Sequence, residues 1–438
     1  MNENFLKYQG NIIYSKNRQF IKTNKKKNFD IEILDTDKKK LEDLNISFFI
    51  PIWGKEYINK FFKSTLLCFV KKENQKIIKS LNNNSKFCIW TKKIDKEYLD
   101  NLKEIKILRK IINIEYFYID EIFSLYRYNT NKYEKLSILQ NLFISYSYNQ
   151  DYLIFIYPDF IFNQKSFSEL LNRLTFRHSA IFCPVPQIIY EDVIEKIREN
   201  NLDNFLKNIE KNVFANLHDI VLRTIINKNQ ISSDSSIITY KQDGKFYLFN
   251  SFHIHPLAIK VQKDNPNFYK KFFPSFDESF VSLYANDNSY HIPGSSNEMI
   301  FASLAGKKDI TILKANLDGD LDSLSDWAAI LTNSAHRNFV KKSYILQIDN
   351  YSKDEIDRAF SSMENFIENL LDKISLKTPI STYKDKRIPL LDLNFHLINL
   401  KLRLNSYSSK NIKKLIKQFI EDSKVNYLIK SILKKIYL

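Results

Sequence analysis

The chain has 438 residues and a formal net charge of +16 at pH 7, with 44% hydrophobic and 26% charged residues. That balance is typical of a chain that buries a core, so it excludes wholesale disorder. Only 6 Gly and 10 Pro residues occur, which excludes collagen-like and low-complexity proteins. The length fits about three domain-sized units, or one large α/β domain with an appendage.

The positive charge is concentrated at the two ends of the chain. Residues 1–40 carry 10 basic against 5 acidic residues, residues 401–438 carry 10 against 2, and the body between them is nearly neutral. A protein that wraps nucleic acid has an evenly basic surface, so nucleic acid is not the expected partner. The basic ends instead predict contact with something anionic, such as a membrane surface.

The cysteines and the apolar runs indicate in which cellular compartment the protein is expected. Cys68, Cys88 and Cys183 lie in apolar runs without metal-type spacing, which predicts buried thiols in a reducing environment. The start of the chain lacks the features of a signal peptide, and no apolar run approaches the roughly 18 residues of a spanning helix. We expect a cytoplasmic protein, either wholly so or peripheral at the inner membrane face.

Strands and helices alternate along most of the chain, after a basic polar arm over residues 1–44. Strands are predicted at 46–53, 86–91, 114–119, 152–157, 180–185, 245–249 and 309–315. Helices are predicted at 55–70, from 95, and at 133–148, 165–175, 190–226, 323–334, 353–375 and 388–405. This alternation favours an α/β fold with a mostly parallel, doubly wound sheet over 45–340, followed by a helical C-terminal region over 341–438.

The tail over residues 410–438 carries two apolar stripes at helical spacing, with lysines on the other faces. The register between the stripes breaks near Asp422. A basic amphipathic helix pair of this kind can lie on an anionic bilayer, and it can equally pack on the protein body. Both interpretations stay open.

The strongest local signal is the strand Tyr152–Tyr157 followed by Pro158 and Asp159. Ligands of open α/β sheets bind at the carboxyl ends of the strands. A carboxylate at that place can bind a divalent cation or a ribose hydroxyl, and it can also simply form a turn. Asp159 is therefore a candidate metal and cofactor ligand.

Three segments together resemble the GT-A glycosyltransferases, in particular bacterial enzymes of surface polysaccharide and glycoconjugate synthesis. Ile50–Tyr57 resembles their opening strand and loop, 142–159 resembles the helix, strand and acidic turn that present the nucleotide sugar, and 183–186 resembles the strand that follows. The resemblance covers about residues 45–330 and implies a Rossmann-like domain with a nucleotide sugar as donor. It implies Pro51, Trp53 and Gly54 as nucleotide contacts.

The acidic motif departs from the family pattern. GT-A enzymes carry Asp-x-Asp, whereas this chain has only Asp159 followed by Phe160, Ile161 and Phe162. Mg²⁺ often takes only one or two carboxylates, so Mg²⁺ or Mn²⁺ at Asp159 is one alternative and a metal-independent enzyme is the other.

The segment Phe252–Pro256 places His253 and His255 two residues apart. In an extended chain both would point to the same face. Paired histidines can contact a phosphate, shuttle a proton or bind a metal, and no acidic neighbour completes a zinc site. We expect His255 to contact a donor phosphate or the acceptor, with a purely structural pair as the alternative.

Glycosyl transfer with inversion needs a carboxylate that takes the proton of the acceptor hydroxyl. Asp277 and Glu278 are adjacent carboxylates in the second half of the chain, where the resemblance implies the base, although such pairs are also common on surfaces. Glu298 is a second candidate, in a segment from Ser295 that resembles the capped start of a helix. Arg337, predicted at the end of a helix beside His336, is a candidate ligand of the diphosphate.

Several common phosphate-binding and catalytic motifs are absent from the sequence, which narrows the possible functions. No Walker A motif, Gly-rich dinucleotide fingerprint, Gly-x-Ser-x-Gly elbow or His-Glu-x-x-His motif occurs in the sequence. The sequence therefore favours a glycosyltransferase that acts on a cell-surface glycan precursor, such as a lipid-linked acceptor. A non-catalytic nucleic-acid- or anion-binding protein and a nucleotidyl or phosphoryl transferase are the alternatives.

Overall fold

The structure is a computed structural model, which describes residues 39–124, 132–265, 268, 272–273, 276, 280–285, 289–310 and 319–377. The first half runs β1 (Ile46–Pro51), α1 (Lys55–Lys63), α2 (Thr65–Phe69), α3 (Lys72–Lys79), β2 (Lys86–Thr91), α4 (Lys93–Asn101), α5 (Lys103–Leu108), β3 (Asn113–Tyr118), α6 (Ile119–Phe123), α7 (Lys132–Tyr146), β4 (Tyr152–Phe155), β5 (Phe160–Phe162) and α8 (Gln164–Thr175).

The second half contains β6 (Ala180–Cys183), β7 (Gln187–Ile189), α9 (Tyr190–Lys207), α10 (Ile209–Ala215), β8 (Ile237–Gln242), β9 (Phe246–Ser251), β10 (His255–Lys260), α11 (Ser282–Ala285), β11 (Phe301–Ala305), α12 (Leu321–Leu331), α13 (Ser334–Phe339), β12 (Ser343–Gln347) and α14 (Lys353–Leu376). Within the described residues, no helix is long and apolar enough to cross a bilayer.

The central sheet is mixed but mostly parallel, with the strand order β3-β2-β1-β4-β10-β6. Strands β3, β2, β1 and β4 run parallel, and β10 is antiparallel to both β4 and β6. The order reverses beside β1, because β2 and β3 lie on one side of it and β4 on the other. In open α/β sheets such a reversal point is where ligands bind. The predicted α/β class with a mostly parallel sheet is confirmed.

Helices cover both faces of this sheet. The side chains of β1 alternate between the two faces, and all of them are buried. Phe48 packs on Phe69 of α2, with ring centroids 6.4 Å apart. Phe49 points the other way and packs on Phe143 of α7, at 5.2 Å. The sheet is therefore doubly wound, with α1–α5 in one core cluster and α7 in the other.

Two small sheets flank the central one. They have the orders β5-β11-β7 and β12-β9-β8. A third core cluster joins the second of these sheets to α12 and α14, through residues such as Phe246, Leu324 and Met363. This cluster contains residues on both sides of residue 340, where the sequence predicts the boundary between the α/β domain and the helical C-terminal region. The division into domains stays a prediction.

Several predicted elements differ from the structure. The helix predicted over 55–70 breaks at Ser64, whose φ of −135° and ψ of −85° are not helical. The predicted helix start at Ser295 is wrong, because residues 295–298 form a turn that leads into β11. The strand predicted at 309–315 begins instead within a 3₁₀ helix, Lys307–Ile310, and the rest of it lies outside the described residues.

The C-terminal predictions are tested only in part. The helix predicted over 353–375 is confirmed as α14, which starts with a capping box between Ser352 and Glu355. The helix predicted over 388–405 and the amphipathic tail lie outside the described residues, as does the arm up to residue 38. All three cysteines are unpaired by disulfides and buried, as expected.

Candidate functional site

A cavity of about 340 Å³ lies at the carboxyl edge of the central sheet. Residues that follow β4 and β6 reach it, and so does the start of β10, because this antiparallel strand begins at the edge where its neighbours end. Its lining consists of Tyr157, Phe160, Val185, Gln187, Ile220, Val221, Arg223, Asp234, Ser235, Ser236, Ile237, His253, His255 and Ser303. The sheet edge that the sequence predicts for ligand binding therefore does contain a cavity of ligand size.

One ion pair lies in the cavity wall. Arg223 Nη1 is 3.2 Å from Asp234 Oδ2, and the arginine side chain is only 4% exposed. Asp234 is also held by its own loop, since the Ser232 hydroxyl donates a hydrogen bond to Asp234 Oδ1. Arginine stays charged in proteins, so Arg223 brings a permanent cation to the cavity.

His255 forms the floor of the cavity together with two aromatic rings. Its ring centroid lies 4.8 Å from Tyr157 and 5.3 Å from Phe160, and its Nε2 is 3.4 Å from the Phe155 carbonyl oxygen. Burial lowers the pKa of His255 to about 4, although the contact with Phe155 opposes the shift. The imidazole is therefore neutral at pH 7.

His253 lies beside His255 in the same lining, although residues 252–254 bend rather than continue a strand. Burial lowers its pKa, and a hydrogen bond with the Leu331 backbone opposes that shift. Its Nε2 is buried without a hydrogen-bond partner among the described residues. Both histidines line the cavity with neutral imidazole rings, although the segment is not the extended strand for which the sequence predicts a shared face.

Asp159 lies directly behind the cavity wall. Ser303 lines the cavity, and its hydroxyl donates a hydrogen bond of 3.1 Å to Asp159 Oδ2. Burial raises the pKa of Asp159 overall, although the hydrogen bond from Ser303 and the charge of nearby Lys60 oppose this shift. The hydroxyl of Thr65 fixes the turn that carries Asp159, by donating to the carbonyl oxygens of Tyr157 and Phe160 at 3.1 and 2.7 Å.

The described residues contain no group of three or more His, Cys, Asp or Glu side chains that could hold a metal ion. Asp159 is one carboxylate with a hydroxyl neighbour, and its buried position disfavours the charged form. Such a set fits Mg²⁺ or Mn²⁺ only if substrate phosphates supply further oxygen ligands. Metal binding at Asp159 stays a prediction.

Pro51 is the last residue of β1, and Trp53 and Gly54 follow it at the same edge of the sheet, but none of the three lines this cavity. Pro51 pairs with Trp90 of β2, and Trp53 packs on the α7 side of the core. Gly54 has φ +82° and ψ 150°, a backbone conformation that is almost restricted to glycine, and it begins α1. Their role as nucleotide contacts stays a prediction.

The structure does not bring Glu298 to the cavity lining. Its Oε1 is 2.9 Å from Arg173 Nη2 and 2.7 Å from His291 Nε2, and its Oε2 accepts a hydrogen bond from the Gly294 backbone. Burial raises its pKa, but the hydrogen bond from His291 and the charges around it outweigh burial and lower the pKa overall. Each of these contacts links Glu298 to the protein itself, and its role as a base stays a prediction.

Arg337 also lies outside the cavity lining. Arg337 lies in the last turn of the short helix α13, so the predicted position at a helix end is confirmed, although this helix is separate from α12, which ends at Leu331. Its guanidinium bonds back to Thr332, with contacts of 3.4 and 3.5 Å. His336 serves in the capping box of α13, and its ring lies 4.6 Å from that of His253. Asp277 and Glu278 lie outside the described residues.

The sequence analysis missed the two charged residues of the cavity. Arg223 directly follows a 3₁₀ helix, Asp219–Leu222, and Asp234 lies in a turn, and neither segment has a recognisable motif. The sequence does carry one signal: Arg223 directly follows the apolar residues Ile220, Val221 and Leu222, and an arginine that is buried in such a run is almost always paired. Gln187 and Ser303 carry no such signal.

Comparison with known proteins finds little. No family model matches the chain, and no curated protein matches it. Among solved structures, mouse xyloside xylosyltransferase 1 in its apo form aligns over 36% of this chain and 60% of its own, with 12% sequence identity and a TM-score of 0.21. At that TM-score the likeness supports no conclusion about the fold or the activity.

Proposed function

We propose that the protein is a glycosyltransferase that moves a sugar from a nucleotide-sugar donor to a cell-surface glycan precursor. One observation carries the proposal: a cavity with a buried arginine and two neutral histidines lies at the carboxyl edge of a mostly parallel sheet. Such edges bind nucleotides and related phosphates in many α/β proteins. Asp159 lies behind the wall of the same cavity, which agrees with the acidic turn of the predicted donor site.

The proposed reaction makes a particular demand on this cavity. The bond between the anomeric carbon and the leaving phosphate oxygen breaks, the acceptor oxygen bonds to that carbon, and the acceptor hydroxyl loses its proton to a base. The leaving diphosphate gains negative charge, which Arg223 can stabilise and to which the serine hydroxyls of the lining can donate hydrogen bonds. Asp277 or Glu278 is the proposed base, with Glu298 as the second candidate.

The ends of the chain supply the remaining part of the proposal. A lipid-linked acceptor would lie at a membrane, and residues 410–438 would hold the enzyme at its anionic surface. Each lysine near such a surface contributes on the order of 1 kcal/mol to binding. Asp159 would be the residue that holds Mg²⁺ or Mn²⁺, and the ion would supply positive charge for the donor phosphates.

A thermal-shift experiment tests the donor class. The full chain is heated with a panel of nucleosides, nucleoside diphosphates and nucleotide sugars, each with and without Mg²⁺ or Mn²⁺. A ligand at one hundred times its dissociation constant adds about 2.7 kcal/mol to the free energy of unfolding, which raises the melting temperature measurably. We expect one nucleotide class to stabilise the wild type.

Matched variants locate the binding. Asp159→Ala should reduce or abolish the metal-dependent part of the shift, whereas Asp349→Ala, at an exposed site away from the cavity lining, should retain it. No stabilisation by any nucleotide, with or without metal, would contradict the proposal. Salt-sensitive binding of generic DNA or RNA would favour a nucleic-acid-binding protein, and release of pyrophosphate from nucleoside triphosphate and sugar phosphate would favour a nucleotidyl transferase.

A further inference from the structure

The cavity contains one cation and one anion with unequal access to solvent. Among its described lining residues, Arg223 is the only lysine or arginine and Asp234 is the only carboxylate. The side chain of Arg223 is 4% exposed, whereas that of Asp234 is 35% exposed. Asp234 is therefore the member of the pair that a dissolved anion could replace.

A buried guanidinium needs a negative partner at all times. It does not release its proton, and an uncompensated charge in the interior destabilises the fold strongly. Asp234 supplies that partner in the protein alone. If a ligand phosphate replaced the Asp234 carboxylate, the charge of Arg223 would still be balanced. The Asp234 carboxylate, which is 35% exposed, could then turn towards water.

The loop that carries Asp234 is held against Gly319. A Cβ atom at position 319 would lie only 2.7 Å from the backbone nitrogen of Ser233 and 2.9 Å from the carbonyl oxygen of Ile231. The Ser232 hydroxyl binds Asp234 Oδ1 within the same loop. The close approach to Gly319 packs the loop backbone, whereas the carboxylate is held by Arg223 and Ser232, so an exchange would break these two contacts through a side-chain movement.

The remaining polar groups of the lining suit an anion without adding charge to the protein. Burial lowers the pKa values of His253 and His255, which keeps both rings neutral at pH 7. Each neutral imidazole has a single N–H, and those of His255 and His253 bond to the backbone of Phe155 and Leu331, so the neutral donors left for an anion are the serine hydroxyls of the lining. A phosphate group in the cavity would therefore meet several donors, but among the described lining side chains only one positive charge, that of Arg223.

We propose that Asp234 is an internal counter-ion of Arg223, which the diphosphate group of the ligand displaces when it binds in the cavity. The identity of this group as a diphosphate rests on the proposed function, since nucleotide sugars carry it. The guanidinium can form two parallel hydrogen bonds to phosphate oxygens, which favours phosphate as the replacing group. Asp234 then opposes binding, because ligand and carboxylate compete for one cation.

Calorimetric titration of the full chain with pyrophosphate tests this competition. Asp234→Asn keeps the size and the acceptor oxygen of the side chain but removes the competing charge, so pyrophosphate should bind roughly three- to tenfold more tightly than to the wild type. Asp243→Asn is the control, because it makes the same change of net charge at an exposed ion pair with Lys228 and Lys241, away from the lining. Its affinity should stay within about twofold of the wild type.

Equal or weaker binding by Asp234→Asn than by the control would overturn the proposal. If the single variant does not fold, the double variant Arg223→Gln/Asp234→Asn removes both charges together and leaves no uncompensated ion. It should bind pyrophosphate at least about tenfold more weakly than the wild type. Unchanged affinity in the double variant would also overturn the proposal.

The same titrations separate this inference from the proposed function. If nucleotide sugars bind the wild type but Asp234→Asn is no tighter than the control, the counter-ion role fails and the donor site stands. If Asp234→Asn tightens pyrophosphate binding but no nucleotide or nucleotide sugar binds, the counter-ion role stands and the proposed donor fails.

Discussion

The parallel half of the central sheet and the wall of the cavity are built in opposite ways. Strands β1, β2 and β4 each come from one local apolar run, and nearly all of their residues are buried. The cavity instead takes polar side chains from segments as far apart as Tyr157 and Ser303. Local apolar sequence thus forms the scaffold, whereas the lining depends on long-range packing. Substitutions in the scaffold should therefore cost stability, and substitutions in the lining should chiefly change binding.

Phe48→Ala should have the largest effect, because it removes a ring from the centre of the scaffold. Phe48 is fully buried, with the Phe87 ring centroid at 4.6 Å and that of Phe69 at 6.4 Å. Loss of a buried Phe side chain costs about 3–5 kcal/mol of unfolding free energy. Urea denaturation measures this loss, and pyrophosphate affinity of the folded variant should not change. A loss below about 1 kcal/mol would show that the scaffold core is not packed as described.

Acid should destabilise both regions through buried neutral histidines. Burial lowers the pKa values of His178, beside the scaffold, and His255, in the cavity, from 6.5 to about 4. The unfolded chain then binds protons that the folded chain does not, so the free energy of unfolding falls as the pH falls from about 6.5 to about 4. We expect a loss of about 2 kcal/mol or more over that range.

Urea denaturation at several pH values measures this loss. His178→Gln should have a shallower dependence on pH than the wild type, since one of the two histidines is gone. A wild-type stability that is constant between pH 7 and pH 4.5 would contradict the buried neutral state of these side chains.

Thr65→Val tests the link between the two regions. The buried hydroxyl of Thr65 in α2 donates to the carbonyl oxygens of Tyr157 and Phe160, on either side of Asp159. Its loss leaves these buried acceptors without that donor and should cost about 1–3 kcal/mol. Thr91→Val, a change of the same kind in β2, removes a buried hydroxyl that has no hydrogen-bond partner among the described residues, and it should cost less. Equal losses in the two variants would contradict a specific role for Thr65.

Ser303→Ala should have the smallest effect on stability and the most local one. It removes the hydrogen bond to Asp159, which is stronger when the carboxylate is charged. We expect a loss of about 1 kcal/mol at pH 7 and a smaller one at pH 4.5, where more of the carboxyl is protonated. The difference in unfolding free energy between variant and wild type at the two pH values is the measurement. An equal loss at the two pH values would indicate that the protonation state of Asp159 does not change between them and would contradict this expectation.

The apolar runs were sufficient to predict the scaffold. Strands buried on both faces have continuous apolar sequence, so β1, β2 and β4 could be located from residues such as those of 46–51. Strands β8 and β10 were missed, because Ile237–Gln242 is partly polar and His255–Lys260 contains a proline. At Ser295, the acidic side chain of Glu298 does reach back to a backbone nitrogen, as in a capping box, but the chain continues into a strand.

The candidate site could be predicted only near the ends of those apolar runs. Asp159 was found because it follows β4, and His255 because it is paired with His253 two residues before it. Arg223 and Asp234 were not found, because the contact between them depends on how the segments after β7 fold over the sheet edge. Hydrophobic periodicity predicts which residues of a helix or strand are buried. It cannot predict that a loop residue contacts a partner in a distant segment.

The sequence by itself determined the α/β class, the mostly parallel sheet and the edge at which a ligand site should lie, because burial on a regular strand or helix imposes a period that can be read locally. The tertiary structure alone decided the strand order, the antiparallel position of β10 and the set of side chains around the cavity. The strand order, the position of β10 and the cavity lining all depend on contacts between distant segments. The free energy of such contacts comes from complementary shape and from burial, which exist only in the assembled fold. The ion pair of Arg223 and Asp234 is of that second kind, and it is the feature on which the ligand chemistry proposed for this protein most depends.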